Sequence, residues 1–260
     1  MATFVSSLNP FQFAFNGFVF GTGTNGITVT NVDGLMSLPD IRNQDDIRGY
    51  TDGQYSGRDF YDGRTVTIDM VILGDSSHNA QYYYNQLQTN LYPQQLGTPS
   101  ALGAFQFELS SSIGLKVMYG RVRNIQTAID PEFAYGYIQT SIEFFFPDPR
   151  YYDYPYTTSS GTSVAMTNGG WAISCPVITV SSAPSLFTIT DSYSNSMSFA
   201  PTVTTPTIVI DLLQRTITQN GNPARNILTT STGWLQINPV SSNTFTSAAT
   251  MSITYTDAYV

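Results

Sequence analysis

The 260-residue chain carries one cysteine and one histidine, and lysine occurs only at Lys116. Cys175 alone cannot form an intrachain disulfide, so nothing points to the disulfide-stapled class of secreted proteins. Zinc sites need clusters of His and Cys, and a Cys/His nucleophile pair would have to join His78 and Cys175 across two predicted domains. Cys175 lies in the apolar run WAISCPVITV and reads as a small core residue. His78 stands in the first turn of a predicted helix and reads as a solvated or cap-region side chain. Charge is also scarce, at 11% of residues against roughly 25% in a typical soluble protein. Thr, Ser, Asn, Tyr and Phe fill the gap and favour strands. The net charge of −8 gives no general attraction to nucleic acid or anionic membranes.

Other absences narrow the classes further. No apolar run approaches the ~18 residues of a membrane span, so no membrane insertion is expected. The N-terminal segment has no basic stretch and alternates aromatics, which reads as strands rather than a signal peptide. Neither G-x-x-x-x-G-K-[ST] nor G-x-G-x-x-G occurs, and the Gly-rich stretch 17–26 lacks both a lysine and a following helix. Asp52, Asp59 and Asp62 are spaced unlike a calcium loop. Asp45, Asp46, Asp59, Asp62 and Glu143 are carboxylates of the kind glycoside hydrolysis uses in pairs. Asp45 and Asp46, however, share their loop with Arg42 and Arg48 and read as a salt-bridged face. No tandem repeat is visible. The expectation is a non-enzymatic protein without metal or cofactor.

What the chain does have is concentrated at residues 38–65, LPDIRNQDDIRGYTDGQYSGRDFYDGRT. Between Asp40 and Arg64 lie six Asp and four Arg, ten of the chain's 28 charged residues. Tyr50, Tyr55, Phe60 and Tyr61 are interspersed with four glycines. Compact domains seldom keep so long an irregular loop without a use for it, and disordered segments are usually poor in aromatics. Arg and aromatics together suit an arm that docks on a neighbouring protein. The preference for Arg over Lys fits bidentate protein–protein pairing and, equally, a GC-rich coding sequence.

Composition shifts near residue 150: residues 1–150 hold 22 charged side chains and residues 151–260 hold six. FFFPDPRYYDYPY marks the junction, because its three prolines must end a strand. In the first part, FQFAFNGFVFG reads as two strands joined at Asn16-Gly17. Strands are expected at 26–35, 64–74, 103–109, 114–129 and 134–146, with Asp130-Pro131 as a hairpin turn. One helix is expected at about 77–91, capped within Asp75–Ser77, with Tyr83, Leu87 and Leu91 on its buried face and Pro93 stopping it. The second part reads as strands at 163–168, 175–180, 185–191, 197–201, 207–219, 224–228, 234–238 and 252–260, with Asn220-Gly221 as a hairpin turn; such spacing indicates a β-sandwich. Trp171, Trp234 and Tyr152 are candidate platforms for stacking a sugar, against the alternative that they pack in the core or at its rim.

The order of these motifs resembles the siphophage distal tail proteins, the hub proteins of the tail tip. The likeness runs through FNGFVFG, GITVTNVDGL, the charged loop ending in GRDFYDGRTVTIDMVILG, YYYNQLQTNL, GLKVMYGRVRNI and the exit FFFPDPRYYD. It continues through NGGWAISCPVITV, TIVIDLLQRTITQNGNPARN and STGWLQINPVSSNTF. Val240-Ser241-Ser242 departs from the glycine usual after the proline. The chain is short for the family, with no obvious inserted sugar-binding domain or extra receptor-binding arm.

The resemblance implies a mainly β protein. Residues 1–152 would form a tail-tube-like β-sandwich with one helix and an extended arm, and residues 153–260 a galectin-like β-sandwich. It implies a structural virion protein at the tail tip, made in the host cytoplasm. Six copies would form a ring joining the tail tube protein to the baseplate, in contact with the tape measure protein and tail-associated hub or fibre proteins. Phage DNA would pass through a central channel with an acidic lumen. Asp40, Arg42, Asp45, Asp46, Arg48, Tyr50, Tyr55, Arg58, Asp59, Phe60, Tyr61 and Arg64 would form the intersubunit arm, its charges partnered on another chain. The alternative is a carbohydrate-binding adhesion module of the tail tip using Trp171, Trp234 or Tyr152.

Overall fold

A computed structural model describes residues 3–92 and 102–260. The chain divides into two compact units, Met1–Tyr151 with Val260, and Tyr152–Tyr259. Both are built of curled β-sheets, and the described residues contain one α-helix.

In the first unit β1 (Gln12–Phe15) and β2 (Phe18–Phe20) form a hairpin. Asn16 and Gly17 both have positive φ, 49° and 88°, the two-residue turn whose twist matches the strands it joins. β3 (Ile27–Asp33) follows, then the segment 38–62 with four two-residue strands: β4 (Ile41–Arg42), β5 (Asp46–Ile47), β6 (Gln54–Tyr55) and β7 (Phe60–Tyr61). Next come β8 (Arg64–Leu73), α1 (Ser77–Leu91), β9 (Gly103–Glu108), β10 (Lys116–Ala128) and β11 (Tyr137–Phe146). The strand order is β2-β1-β9-β10-β11-β8-β3.

β10 makes this one curled layer rather than a flat one. Lys116–Gly120 pair with β9, and from Arg121 onward the strand pairs with β11, with a bulge between Val122 and Asn124. The change of partner falls on the cross-strand pair Gly120–Gly103. A Cβ at Gly120 would lie 2.4 Å from the Phe146 ring and 2.6 Å from the Phe145 carbonyl oxygen; one at Gly103 would lie 2.3 Å from the Phe15 ring. Two facing glycines let the rings close over the bend. Those rings belong to a phenylalanine core: Phe105 lies 4.9 Å from Phe144, 5.4 Å from Phe146 and 5.9 Å from Phe13, centroid to centroid.

Helix α1 is capped by the Ser76 side chain, which accepts from the Asn79 N–H, and buries Ala80, Leu87 and Leu91. The expected face is therefore correct at the two leucines. Tyr83 is only half-buried, and Ala80 takes the position one turn before it. Pro93 lies outside the described residues. The expected Asp130-Pro131 hairpin turn is instead a 3-10 turn over Pro131–Tyr135, opened by the Asp130 side chain and closed by Gly136 at φ 86°. β11 consequently starts at Tyr137, three residues later than expected.

The remaining strands are β12 (Tyr151–Asp153), β13 (Thr157–Thr167), β14 (Val177–Val180), β15 (Phe187–Asp191), β16 (Ser196–Phe199), β17 (Ile208–Asp211), β18 (Thr216–Gln219), β19 (Asn222–Pro223), β20 (Leu228–Ser231), β21 (Ser242–Tyr255) and β22 (Ala258–Tyr259). In the second unit the order is β19-β18-β17-β14-β21-β15-β16-β20, with β13 running along β21. The 14-residue β21 pairs with β15 through Phe245–Ser247 and with β14 through Met251–Thr254, so it too passes from one part of the sheet to another. Ile178, Ile189, Ile210, Phe245 and Ile253 lie at the centre of the enclosed core, and Cys175 and Trp234 pack against it.

Four strand expectations fail here. The strand expected at 252–260 begins ten residues earlier, at Ser242, ends at Tyr255, and leaves Ala258–Tyr259 as β22. Residues 207–219 are two strands, β17 and β18, because the Asp211 carboxylate accepts from the Gln214 N–H at 2.8 Å and Arg215 adopts φ 54°, making a turn. Residues 224–228 open with a 3-10 turn over Arg225–Ile227. WLQIN (234–238) forms no strand, only the single bridge Ser174–Ile237.

Candidate functional site

The segment 38–62 folds as a long hairpin. Ile41 pairs with Tyr61 and Arg42 with Phe60; further out, Asp46 pairs with Tyr55 and Ile47 with Gln54. At the root the Asp62 N–H donates to the Asp40 carbonyl at 2.8 Å, and near the tip the Arg48 N–H donates to Gly53 at 3.3 Å. Between the two short ladders the Asp45 carboxylate accepts from the Gly57 N–H at 2.9 Å. Gly57 also lets the strands approach closely, since a Cβ there would fall 2.1 Å from the Gln44 oxygen. With about 11 residues per side, at roughly 3.3 Å each, the hairpin reaches at most about 35 Å.

Every residue from Asp40 to Tyr61 is exposed. That includes Ile41, Ile47 (78%), Tyr50, Tyr55, Phe60 and Tyr61. Exposed apolar side chains gathered in one element are a feature that interaction surfaces share. The expectation that the arm's charges find partners only on another chain is corrected in part. Arg42 lies 3.6 Å from Asp62. The guanidinium of Arg48 sits 4.9 Å from the Tyr55 ring centroid, and those of Arg58 and Arg42 sit 5.5 and 5.9 Å from the Phe60 centroid. Asp46, Asp59 and Tyr50 stand exposed along the same hairpin.

Arg64 is not an arm residue. It opens β8 and is 3% exposed. Its Nε donates to the Pro149 carbonyl at 3.0 Å, and its Nη1 to the carbonyls of Gly34 at 3.2 Å, Ser37 at 2.8 Å and Leu35. The sequence held a signal for this. Arg64 shares the parity of Val66, Ile68, Met70 and Ile72, all on the buried side of β8, so its side chain points inward.

Sequence reasoning also missed the flank of β3. This strand ends the sheet, and an open groove of about 530 Å³ runs along it, lined by Val29 to Ser37 with Phe11 and Leu109. Phe11 is held at φ 59°, a region bulky residues rarely adopt.

The three aromatic candidates separate. Tyr152 is 5% exposed, so it offers no stacking face. Trp234 is partly buried against the core with the Arg225 guanidinium 5.3 Å from its ring. Trp171 is 62% exposed, with the Tyr259 ring edge-on at 4.7 Å. His78 is exposed in the first turn of α1. Among the described residues no group of three or more His, Cys, Asp or Glu is placed to hold a metal ion, and no helix is long and apolar enough to cross a membrane.

Residues 168–259 match the family of the siphovirus-type tail component, C-terminal domain. No curated protein sequence matches the chain. Among solved structures it is similar to the Dit protein of phage SPP1, described as a paradigm of the hub adsorption apparatus in phages infecting Gram-positive hosts. The TM-score is 0.72 at 18% identity, over 97% of this chain and all of that one. A chain of the phage p2 baseplate in its activated conformation is similar at TM-scores of 0.55 with calcium and 0.54 with strontium, at 9% and 10% identity, over 94% of this chain and 97% of that one in both cases.

Proposed function

We propose that this chain, a siphophage tail component of the distal-tail type by its C-terminal domain and its fold, is the ring-forming hub of its tail tip. Six copies form a ring below the tail tube, joining it to the baseplate and leaving a channel through which DNA passes. The role is structural rather than enzymatic. Its neighbours would be the tail tube protein, the tape measure protein and tail-associated hub or fibre proteins. The observation that carries this reading is the hairpin Asp40–Tyr61: 22 consecutive exposed residues, close to the 20–30 residues that one side of a standard protein–protein interface contributes. Head-to-tail contacts of this kind close into rings when the rotation between subunits permits.

The test is electron microscopy of the purified protein and of tail tips, together with a variant in which 41–61 are replaced by a tight turn. Sixfold rings with the hairpin crossing a subunit boundary are expected, and their loss in the shortened variant. A wild-type protein that stays monomeric and makes no ring in the virion would sink the reading.

Exposure of Trp171 supports a second reading, a glycan-stacking face on the C-terminal domain. Loss of glycan-array binding on Trp171→Ala would support it, and an array blank for the wild type would end it.

A further inference from the structure

Arg64 makes four hydrogen bonds to two separate stretches of chain, and none serves its own strand. Nη1 holds the carbonyls of Gly34, Leu35 and Ser37, where the chain leaves β3 for the hairpin. Nε holds Pro149, where the chain leaves the first unit. Arg64 itself is where the hairpin returns. Three backbone paths thus meet at one buried side chain: hairpin in, hairpin out and unit exit.

Stability alone does not account for an arginine here. Its parity in β8 calls for an apolar residue, as at Val66 and Ile68. The second terminal nitrogen, Nη2, is buried without a hydrogen-bond partner, and an unsatisfied buried donor is a retained cost that calls for a reason. Burial also pushes the guanidinium pKa below its ordinary value, with the neighbouring Tyr151 acting the other way. A planar fork with donors pointing in different directions does what an apolar residue cannot: it fixes separate segments against one rigid group.

We propose that Arg64 is the positioning residue of the arm, a latch that couples the conformation of the hairpin root to that of the exit peptide Pro147–Arg150. A change at either end is transmitted to the other through the guanidinium. Its use in assembly rests on the reading of the hairpin as the ring-forming arm. The coupling itself belongs to the single chain and is measured there.

The experiment is a coupling cycle read by amide hydrogen exchange on the full-length free chain, so its outcome does not depend on ring formation. The root reporter is the Asp62 amide, bonded to the Asp40 carbonyl. The exit reporter is the Arg150 amide, bonded to the Asp148 carboxylate. A core amide, Ile68, controls for global unfolding. Leu35→Ala perturbs the root and Pro149→Ala the exit; both residues are buried. Coupling is reciprocal and typically at least about fivefold. Leu35→Ala should therefore lower protection at Arg150, and Pro149→Ala should lower it at Asp62, by a similar factor with Ile68 unchanged. In an Arg64→Met background both cross-effects should collapse to below about twofold. Where Arg64→Met does not fold, Arg64→Lys serves instead: it keeps the charge but loses the fork, and should cut both cross-effects by more than half. Cross-effects absent from the wild type, or undiminished without the guanidinium, would overturn the proposal. Rings that form normally in a chain lacking the coupling would leave the arm reading intact and remove the latch's use in assembly.

Discussion

Gly120→Ala should destabilise the first unit and leave the second unit's midpoint nearly unchanged. The added methyl would sit 2.4 Å from the Phe146 ring and 2.6 Å from the Phe145 carbonyl oxygen. The ring is fully buried and the carbonyl is backbone of the paired strand β11, so neither yields without moving the bend. Overpacking costs about 1–3 kcal/mol, and a backbone obstacle places this case near the top of that range. The intrinsic gain from replacing glycine in a strand returns roughly 0.5–1 kcal/mol. The net loss is therefore about 2 kcal/mol, or about 4–8 °C in Tm for a unit of this size. Gly103→Ala meets only the Phe15 ring and the Asn16 amide, which are side chains and can tilt, so its loss should be nearer 1 kcal/mol. As cross-strand partners, the two should not add. The two units can be followed apart because both tryptophans, Trp171 and Trp234, lie in the second. In urea unfolding, fluorescence excited at the tryptophan edge reports the second unit alone, and circular dichroism in the helical band, to which α1 of the first unit contributes, follows both, so the part of the dichroism transition that the tryptophan signal lacks reports the first. A Gly120→Ala midpoint unchanged in the first unit, or a larger shift in tryptophan fluorescence, would refute the idea that this glycine pair sets the bend.

Three further outcomes follow from the same structure. Ile47→Asp and Tyr50→Ala, both on the hairpin, should leave monomer stability within about 0.5 kcal/mol but weaken self-association tenfold or more, by sedimentation velocity; equal association would remove the hairpin from the interface. Asn168 is fully buried, its Nδ2 donating to Ala172 at 2.8 Å and its Oδ1 accepting from Gly170 at 3.0 Å. Asn168→Ala strands those groups and should cost the second unit about 2–4 kcal/mol, seen as an earlier tryptophan-fluorescence transition. Gly221 is held at φ 80° in the β18–β19 turn, so Gly221→Ala should cost about 1–2 kcal/mol by the same signal, whereas Asn220→Gly keeps the backbone geometry, loses only the bond its Oδ1 accepts from the Thr207 N–H at 2.9 Å, and should cost about 0.5–1 kcal/mol.

The elements that could be read from the sequence are those where local chemistry and periodicity agree. Asn16-Gly17 and Asn220-Gly221 have the side chains their turns demand, and the alternation of Val66, Ile68, Met70 and Ile72 specified β8. The failures have local causes. Leu212 is buried and extends the apolar pattern of β17 past its end, hiding the turn made by Asp211 and Arg215. In β21 the inward positions include Asn243, Ser247 and Ala249, polar or small, so a regular period of two went unseen until Met251. Asn243 is buried nonetheless, its Nδ2 donating to the carbonyls of Asn238 at 3.1 Å and Ser241 at 3.0 Å; a side chain that satisfies itself on a nearby turn reads as loop. The hairpin was legible as an anomaly and not as a shape, because its rungs are two residues long and separated by glycines. Arg64 was misassigned because composition grouped it with the arm's charges, while parity placed it with the core.

The cis contacts along the hairpin change what its charges are for. An exposed ion pair such as Arg42–Asp62 contributes at most about 1 kcal/mol, and exposed cation–π contacts about 0.5–1 kcal/mol each. A lone two-stranded ribbon is marginal in water, so contributions of this size are large enough to decide whether the hairpin keeps its shape. Spent within the hairpin, they cannot also be counted in full toward a partner. Breaking Arg48 away from Tyr55 to meet a carboxylate on another subunit would exchange one modest contact for another. The side chains with least to lose are Ile41, Ile47 and Tyr50, which are 58%, 78% and fully exposed. Binding energy should therefore concentrate there, as it does in interfaces where a few buried apolar and aromatic anchors dominate. On the proposed reading of the hairpin as an arm, the arginines would contribute earlier, by fixing the hairpin before it docks and so reducing the ordering cost of association. That division of labour would give a net-acidic chain with few charges a reason to gather so many of them on one element without making that element a simple electrostatic clamp.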